Sequence, residues 1–266
     1  MYRNLQGMRI LITGASSGIG RCLAEQAATR GGQVALAARS AEKLHELANE
    51  LTSRGLRALA VPADITLESD REHLLEMVAL HFGGLDVLIN NAGVASFGHF
   101  ATASEEILRQ IMEVNFFAPA ELMRRAAPIL MNGKRPAIVN VASMCGRRGL
   151  PAWTEYSASK FALCGLTEAL RGEFARFGID VLLVLPGLTK SDLQRHLLRN
   201  EGRMKIDFTK GMAPETVAAG ILHALERNRT EAVLGREARW LLRVNRFFPR
   251  FVDRLTARKV RRLYAE

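Results

Sequence analysis

The sequence has no uninterrupted apolar run of the ~18 residues that a membrane-crossing helix needs, so no ordinary spanning helix is expected. Cysteine is scarce. Cys22, Cys145 and Cys164 form no Cys-x-x-Cys pair, and their odd number argues against a disulfide framework and for a reducing, cytoplasmic compartment. The histidines at 45, 73, 81, 99, 196 and 223 are scattered without ligand spacing, so no metal site is expected. The opening stretch MYRNLQGMRILITG carries no long apolar segment before its first strand pattern, which speaks against a signal peptide. Internal repeats and low-complexity segments are absent too. With 266 residues, 48% of them hydrophobic and 24% charged, the chain has enough apolar material for one substantial core.

Acidic charge is short in one region. From residue 236 to 266 there are ten Arg and Lys against three acids, so +7 of the net +10 lies in the tail and +3 in the first 235 residues.

Strand and helix patterns alternate along residues 1–235, which predicts an α/β fold with a doubly wound parallel sheet and a single domain. An apolar run at 8–12 leads into Thr13-Gly14-Ala15-Ser16-Ser17-Gly18-Ile19-Gly20 and then a helical pattern. Glycines let a backbone approach a pyrophosphate, and the following helix presents free N–H groups at the positive end of its dipole. The second strand, 33–38, ends in Arg39-Ser40 without an acid, the composition expected for a 2′-phosphate rather than for free ribose hydroxyls. The third, 56–61, is followed by Asp64-Ile65, with Asp64 read either as an adenine acceptor or as a turn residue. The fourth, 86–89, ends in Asn90-Asn91-Ala92-Gly93, small and amide residues suited to a flat ligand lying against backbone.

Residues 104–131 have helical period, with Pro119 and Pro128 requiring a kink or a boundary. Asn115 lies inside this stretch, as a satisfied core amide or as a group holding a water beside the site. A fifth strand, 137–142, ends at Ser143. The next helix, running to about 177, places Tyr156 and Lys160 one turn apart on one face. A phenol of pKa near ~10 is a poor acid or base at neutral pH, and an adjacent cation stabilises its phenolate. A sixth strand, 179–185, is followed by Pro186-Gly187-Leu188-Thr189, a helix over 214–227 and a last strand at 231–234.

Thr13-Gly14-x-x-x-Gly18-x-Gly20, Asn90-Asn91-Ala92-Gly93, Asn115, Ser143, Tyr156-x-x-x-Lys160 and Pro186-Gly187 occur in the order of the short-chain dehydrogenase/reductase family, which the chain resembles over about residues 7–235. The resemblance implies a Rossmann-type sheet, a nicotinamide cofactor and a catalytic set of Asn115, Ser143, Tyr156 and Lys160. Tyr156 would transfer the proton, Lys160 would lower its pKa and hold the nicotinamide ribose, Ser143 would bind the substrate oxygen, and Asn115 would position a water. Cofactor contacts are expected from Gly14, Ser16, Ser17, Gly18, Ile19, Gly20, Arg39, Ser40, Asp64, Ile65, Asn91, Ala92, Gly93, Tyr156, Lys160, Pro186, Gly187 and Thr189. The Ala-Arg-Ser end of the second strand looks like that of NADP(H)-preferring members, with NAD(H) admissible. Relatives of this type commonly form homo-oligomers, dimers or tetramers, through the helices carrying Asn115 and Tyr156.

The expected activity is interconversion of a ketone or aldehyde with an alcohol. The substrate pocket is assigned to Met144, Cys145 and Trp153, with Phe97 and Phe100 nearby and a lid over about 188–212. The lid's apolar residues Leu193, Leu197, Leu198, Met204, Ile206, Phe208 and Met212 suggest a lipid- or steroid-like substrate. The alternative is a non-catalytic dinucleotide sensor or scaffold on the same fold; cofactor binding without turnover would mark it. In the tail, 236–266, apolar residues at 240, 244, 247, 248, 251, 252 and 255 and arginines at 239, 243, 246, 250, 254 and 258 make a basic amphipathic helix, or a pair broken near Pro249. Such an extension packs on a subunit or lies at the inner surface of a membrane. Nucleic acid is disfavoured, because no recognition motif accompanies the charge.

Overall fold

The strand segments are apolar along nearly their whole length, as strands covered on both faces must be. In the computed structural model, which describes residues 2–190, 197–204 and 207–264, they form one parallel sheet. Its strands are β1 (Arg9–Thr13), β2 (Gln33–Ala38), β3 (Ala58–Pro62), β4 (Val87–Asn90), β5 (Ala137–Val141), β6 (Asp180–Pro186) and β7 (Glu231–Leu234), ordered β3-β2-β1-β4-β5-β6-β7. Ile10 sits opposite Val34 on one side and Val87 on the other, which fixes the central register.

Successive side chains of a strand point to opposite faces, so each strand feeds two cores. Ile10, Ile12, Leu36 and Ile89 pack with α1 (Gly18–Thr29), α2 (Ala41–Ser53) and α7 (Pro214–Glu226). Leu11, Ala37, Leu88 and Ile138 pack on the other face with α3 (Glu68–Phe82) and α5 (Ala118–Leu130), beneath the partly buried Leu166 and Leu170 of α6 (Thr154–Phe174).

Two expected elements differ in detail. The third strand starts at Ala58 rather than 56, because Leu56 still turns back to donate its N–H to Leu51 O after the left-handed Gly55. The helical stretch over 104–131 is three pieces: α4 (Glu105–Met112), a π-turn (Glu113–Phe117) and α5. Pro119 falls in the first turn of α5, where a missing N–H costs little, whereas Pro128 is tolerated inside that helix. The wide turn, not a proline, marks the break, and Asn115 is in it.

The basic tail is a helix pair, α8 (Arg236–Phe247) and α9 (Pro249–Tyr264). One face lies on the domain: Ala238 and Val252 are buried, Leu242 packs against Ala142, Leu163 and Leu185, and Arg148 pairs with Asp253 at 2.7 Å.

Candidate active site

The strand order reverses between β1 and β4, which opens a crevice at the carboxyl ends of the sheet. Gly14 takes a left-handed φ of 68°, and a β-carbon there would lie 2.9 Å from Ala92 Cα. A β-carbon at Gly20 would collide with the Gly14 carbonyl oxygen. Thr13 Oγ1 accepts from the N–H groups of Asn91 (3.0 Å) and Ala92 (3.1 Å), and Asn91 Nδ2 donates to Thr13 O at 3.0 Å. Ser17 makes no side-chain cap and the first turn of α1 holds no acid, so the positive helix end at the glycine turn is uncompensated.

Every residue assigned to the cofactor lines one cavity of about 2120 Å³ running along this edge. At one end stand Arg39 and Ser40, both exposed, with no ion pair to Arg39 among the described residues. Asp64 lines the cavity, and its Oδ1 accepts from Thr66 N–H (3.0 Å) and hydroxyl (2.7 Å) as an Asx turn. Thr189 is nearly buried at the other end, and its hydroxyl donates to Gly187 O at 3.1 Å.

Ser143, Tyr156 and Lys160 converge in the middle. Ser143 ends the extended segment after β5, and its Oγ accepts from Cys145 N–H at 3.1 Å. Lys160 is buried on α6, where Nζ donates to Val141 O at 3.2 Å and lies 5.8 Å from the Tyr156 ring centroid. Burial lowers its ammonium to about 8. Tyr156 is partly buried and lines the cavity, and burial pushes its phenol above the ordinary value, with Ser143 acting in the opposite direction.

Asn115 is buried and braces this cluster from behind. Its Oδ1 accepts from Val94 N–H (2.9 Å), and Nδ2 donates to Val94 O (2.9 Å) and Ser159 Oγ (2.9 Å). The amide thus has its hydrogens committed, and the side chain does not line the cavity, although neighbouring Glu113 and Val114 do.

Beside Tyr156 the cavity is apolar. Trp153 stands edge-on to the tyrosine ring at 5.7 Å and to Phe208 at 6.4 Å, and Phe97 packs on Trp153 at 5.3 Å. Met144, Cys145 and Trp153 all line it. Burial raises the Cys145 thiol, which leaves it an inert wall. Phe100 is different from expectation: it is 61% exposed and lines no part of the cavity. Of the lid residues, Leu197, Met204 and Phe208 join the Trp153 cluster and Leu198 lines the cavity, but Met212 packs into the core beside α1. Leu193, His196 and Ile206 lie outside the described residues.

The short chain dehydrogenase family profile matches residues 8–202, about three-quarters of the chain. The chain belongs to the short-chain dehydrogenase/reductase family. Among its relatives, an uncharacterized oxidoreductase of Bacillus subtilis, YxnA, is 34% identical over 257 residues, covering 95% of this chain and 72% of that protein. A 3-ketoacyl-(acyl-carrier-protein) reductase from Brucella melitensis complexed with NADH superposes with a TM-score of 0.77 at 28% identity, covering 86% of this chain and 94% of that one. A short chain dehydrogenase from Burkholderia cenocepacia in complex with NADP gives a TM-score of 0.81 at 27% identity, covering 96% and 99% of the two chains.

Within this family frame, two residues near the site escape a reading of motifs, whereas Thr13, which ties β1 to β4, belongs to the glycine motif itself. Lys43 lines the cavity beside Arg39. Arg199 is buried and clamps the described lid, donating to His99 O at 2.9 Å and to Glu201, with a further bond to Thr102. Among the described residues, no three His, Cys, Asp or Glu side chains are placed to hold a metal ion.

Proposed function

We propose that the chain is an NADP(H)-dependent oxidoreductase that interconverts a ketone or aldehyde and an alcohol on an apolar substrate, with Tyr156 as the acid/base. The carrying observation is that Ser143, Tyr156 and Lys160 open into one cavity that continues to the glycine turn. The turn fits a dinucleotide: β-carbons at Gly14 and Gly20 would fill the approach, and the end of α1 has no anion of its own. A nicotinamide dinucleotide supplies or accepts the hydride when bound there.

The chain's own residues do the rest. Backbone from Gly14 to Gly20 takes the pyrophosphate. Arg39 and Ser40, with Lys43, take a 2′-phosphate, for which three polar groups without an acid are the right chemistry. Asp64 and Ile65 flank the adenine, Asn91, Ala92 and Gly93 floor the crevice, and Pro186, Gly187 and Thr189 face the nicotinamide end. Lys160 holds the nicotinamide ribose together with Tyr156. Ser143 orients the carbonyl oxygen, and Tyr156 gives it the proton. The phenol hydrogen is the proton given to the oxygen in reduction and regained from the alcohol in oxidation. The Asn115 side chain is committed to Val94 and Ser159, which holds these residues in place behind the site.

Trp153, Met144, Leu198 and Phe208 give the substrate end an apolar wall, which supports a lipid- or steroid-like ketone. Self-association through the helices carrying Asn115 and Tyr156 is supported by Phe117 and Phe161, exposed there. The test is NADPH-dependent reduction of a panel of apolar ketones by wild type and Tyr156→Phe. Undiminished turnover in the variant refutes the proton role.

A further inference from the structure

Five of the twelve exposed large apolar side chains among the described residues lie within residues 240–255: Trp240, Phe247, Phe248, Phe251 and Leu255, each 51–71% exposed. At 100° per residue, Trp240 and Phe247 fall on one stripe of α8, while Phe251 and Leu255 fall on one stripe of α9. Phe247, Phe248 and Phe251 meet at the corner between the helices. Arginines flank both stripes. Arg239, Arg243, Arg246, Arg250, Arg254 and Arg258 are exposed and have no ion pair among the described residues. Arg254, Arg258, Arg261 and Arg262 together line a shallow groove.

This is the outer face of the helix pair; the inner face is already spent on the domain through Ala238, Leu242 and Val252. We propose that the outer face docks on an anionic lipid bilayer, with the phenylalanine corner inserted at the headgroup boundary and the arginines on lipid phosphates. Charge complementarity selects this occupant. A second copy would set one +7 surface against another, and a nucleic-acid duplex would satisfy the arginines while leaving the phenylalanines in water. A bilayer interface takes both. No helix among the described residues is long and apolar enough to cross a membrane, so the contact is with the surface.

The docking face and the active-site cavity share residues: Arg239, Trp240 and Arg243 are exposed on the first and line the second. Docking therefore brings the cavity rim to the bilayer, where a membrane-dissolved ketone can enter. That consequence, unlike docking itself, rests on the apolar-substrate reading above.

The experiment is vesicle sedimentation with phosphatidylcholine alone and with phosphatidylcholine mixed with phosphatidylglycerol. The full chain is expected to sediment with the anionic vesicles only, and to be released by salt. Arg250→Gln/Arg254→Gln/Arg258→Gln is expected to lower partitioning roughly a hundredfold, from about fivefold per charge removed near a surface. Phe247→Ser/Phe248→Ser/Phe251→Ser is expected to lower it by roughly tenfold or more. These side chains are exposed, so both variants should keep the wild-type melting temperature and reduction of a water-soluble ketone. Equal binding to neutral vesicles, no effect of either variant, tighter binding to an oligonucleotide, or a changed oligomeric mass in the variants overturns the docking proposal. Vesicle binding without turnover of apolar ketones, in vesicles or detergent, overturns only the substrate reading; turnover in detergent without vesicle binding overturns only the docking.

Discussion

Replacing Lys160 by Met separates what this residue does for activity from what it costs the fold. Lys160 is 3% exposed, and the one hydrogen bond of its ammonium among the described residues goes to the neutral carbonyl of Val141. Burial moves its pKa from 10.5 to about 8, which corresponds to roughly 3 kcal/mol of unfavourable charge burial at neutral pH. Lys160→Met removes that cost and leaves Val141 O short of a donor, a loss of about 1 kcal/mol. The net gain is roughly 2 kcal/mol, or a melting temperature higher by roughly 4–6 °C. The pH dependence carries the sign. Between about 8 and 10.5 the unfolded chain binds a proton that the folded chain has released, so wild-type stability rises through this window. Subtracting the variant's curve cancels the thiols and phenols common to both proteins, leaving the lysine. Turnover should fall by roughly a hundredfold or more, because the ribose and the proton donor lose their positioning group. Thermal melts and turnover from pH 7 to 10.5 measure both. A variant less stable than wild type, with a flat difference between the two curves, refutes the account of a strained buried cation.

Other outcomes test separate parts of the site. Arg39→Asp should weaken NADPH binding by roughly tenfold or more while NADH binding holds or improves, because one exposed charge-assisted contact changes sign; titration calorimetry with each dinucleotide decides. Gly20→Ala should abolish dinucleotide binding and cost several °C of melting temperature, since the added carbon meets the Gly14 carbonyl. Arg199→Ala should raise KM for an apolar ketone more than it lowers kcat, because the clamp between His99, Thr102 and Glu201 holds the segment of the cavity-lining Leu198 and lines no part of the cavity itself. Phe161→Asp should lower the mass measured by light scattering if α6 carries the subunit contact, with the melting temperature of the subunit little changed.

The architecture was readable because its signals are local. Each strand is a short apolar run, and each motif sits immediately after its own strand, so one-dimensional order maps onto one edge of the sheet. Ser143 and Tyr156 needed only a strand end, a turn and a helix to meet. What escaped depends on contacts between distant residues. The Asn115 amide is defined by Val94 and Ser159, and Arg199 by a segment a hundred positions earlier. The π-turn was invisible because five residues of wider winding barely disturb a helical period. The tyrosine's surroundings also needed the fold: spacing put the ammonium one turn away, but only the packed structure shows the ring partly buried against the Trp153 cluster. Phe100 looked like a pocket residue by type and proximity alone.

The three hydrogen bonds joining Thr13 to Asn91 and Ala92 have a thermodynamic consequence for whatever the crevice takes up. They fasten the two strands at the point where the sheet reverses direction, so the floor is rigid before any encounter. Its ordering entropy is lost when the chain folds and is not charged again on association. Affinity at this floor then follows direct contacts and the heat capacity of the apolar surface they cover, with no component from loop folding. Loosening the fastening, as Thr13→Val would by deleting the shared acceptor, converts a rigid receptor into one that must be organised at each binding event.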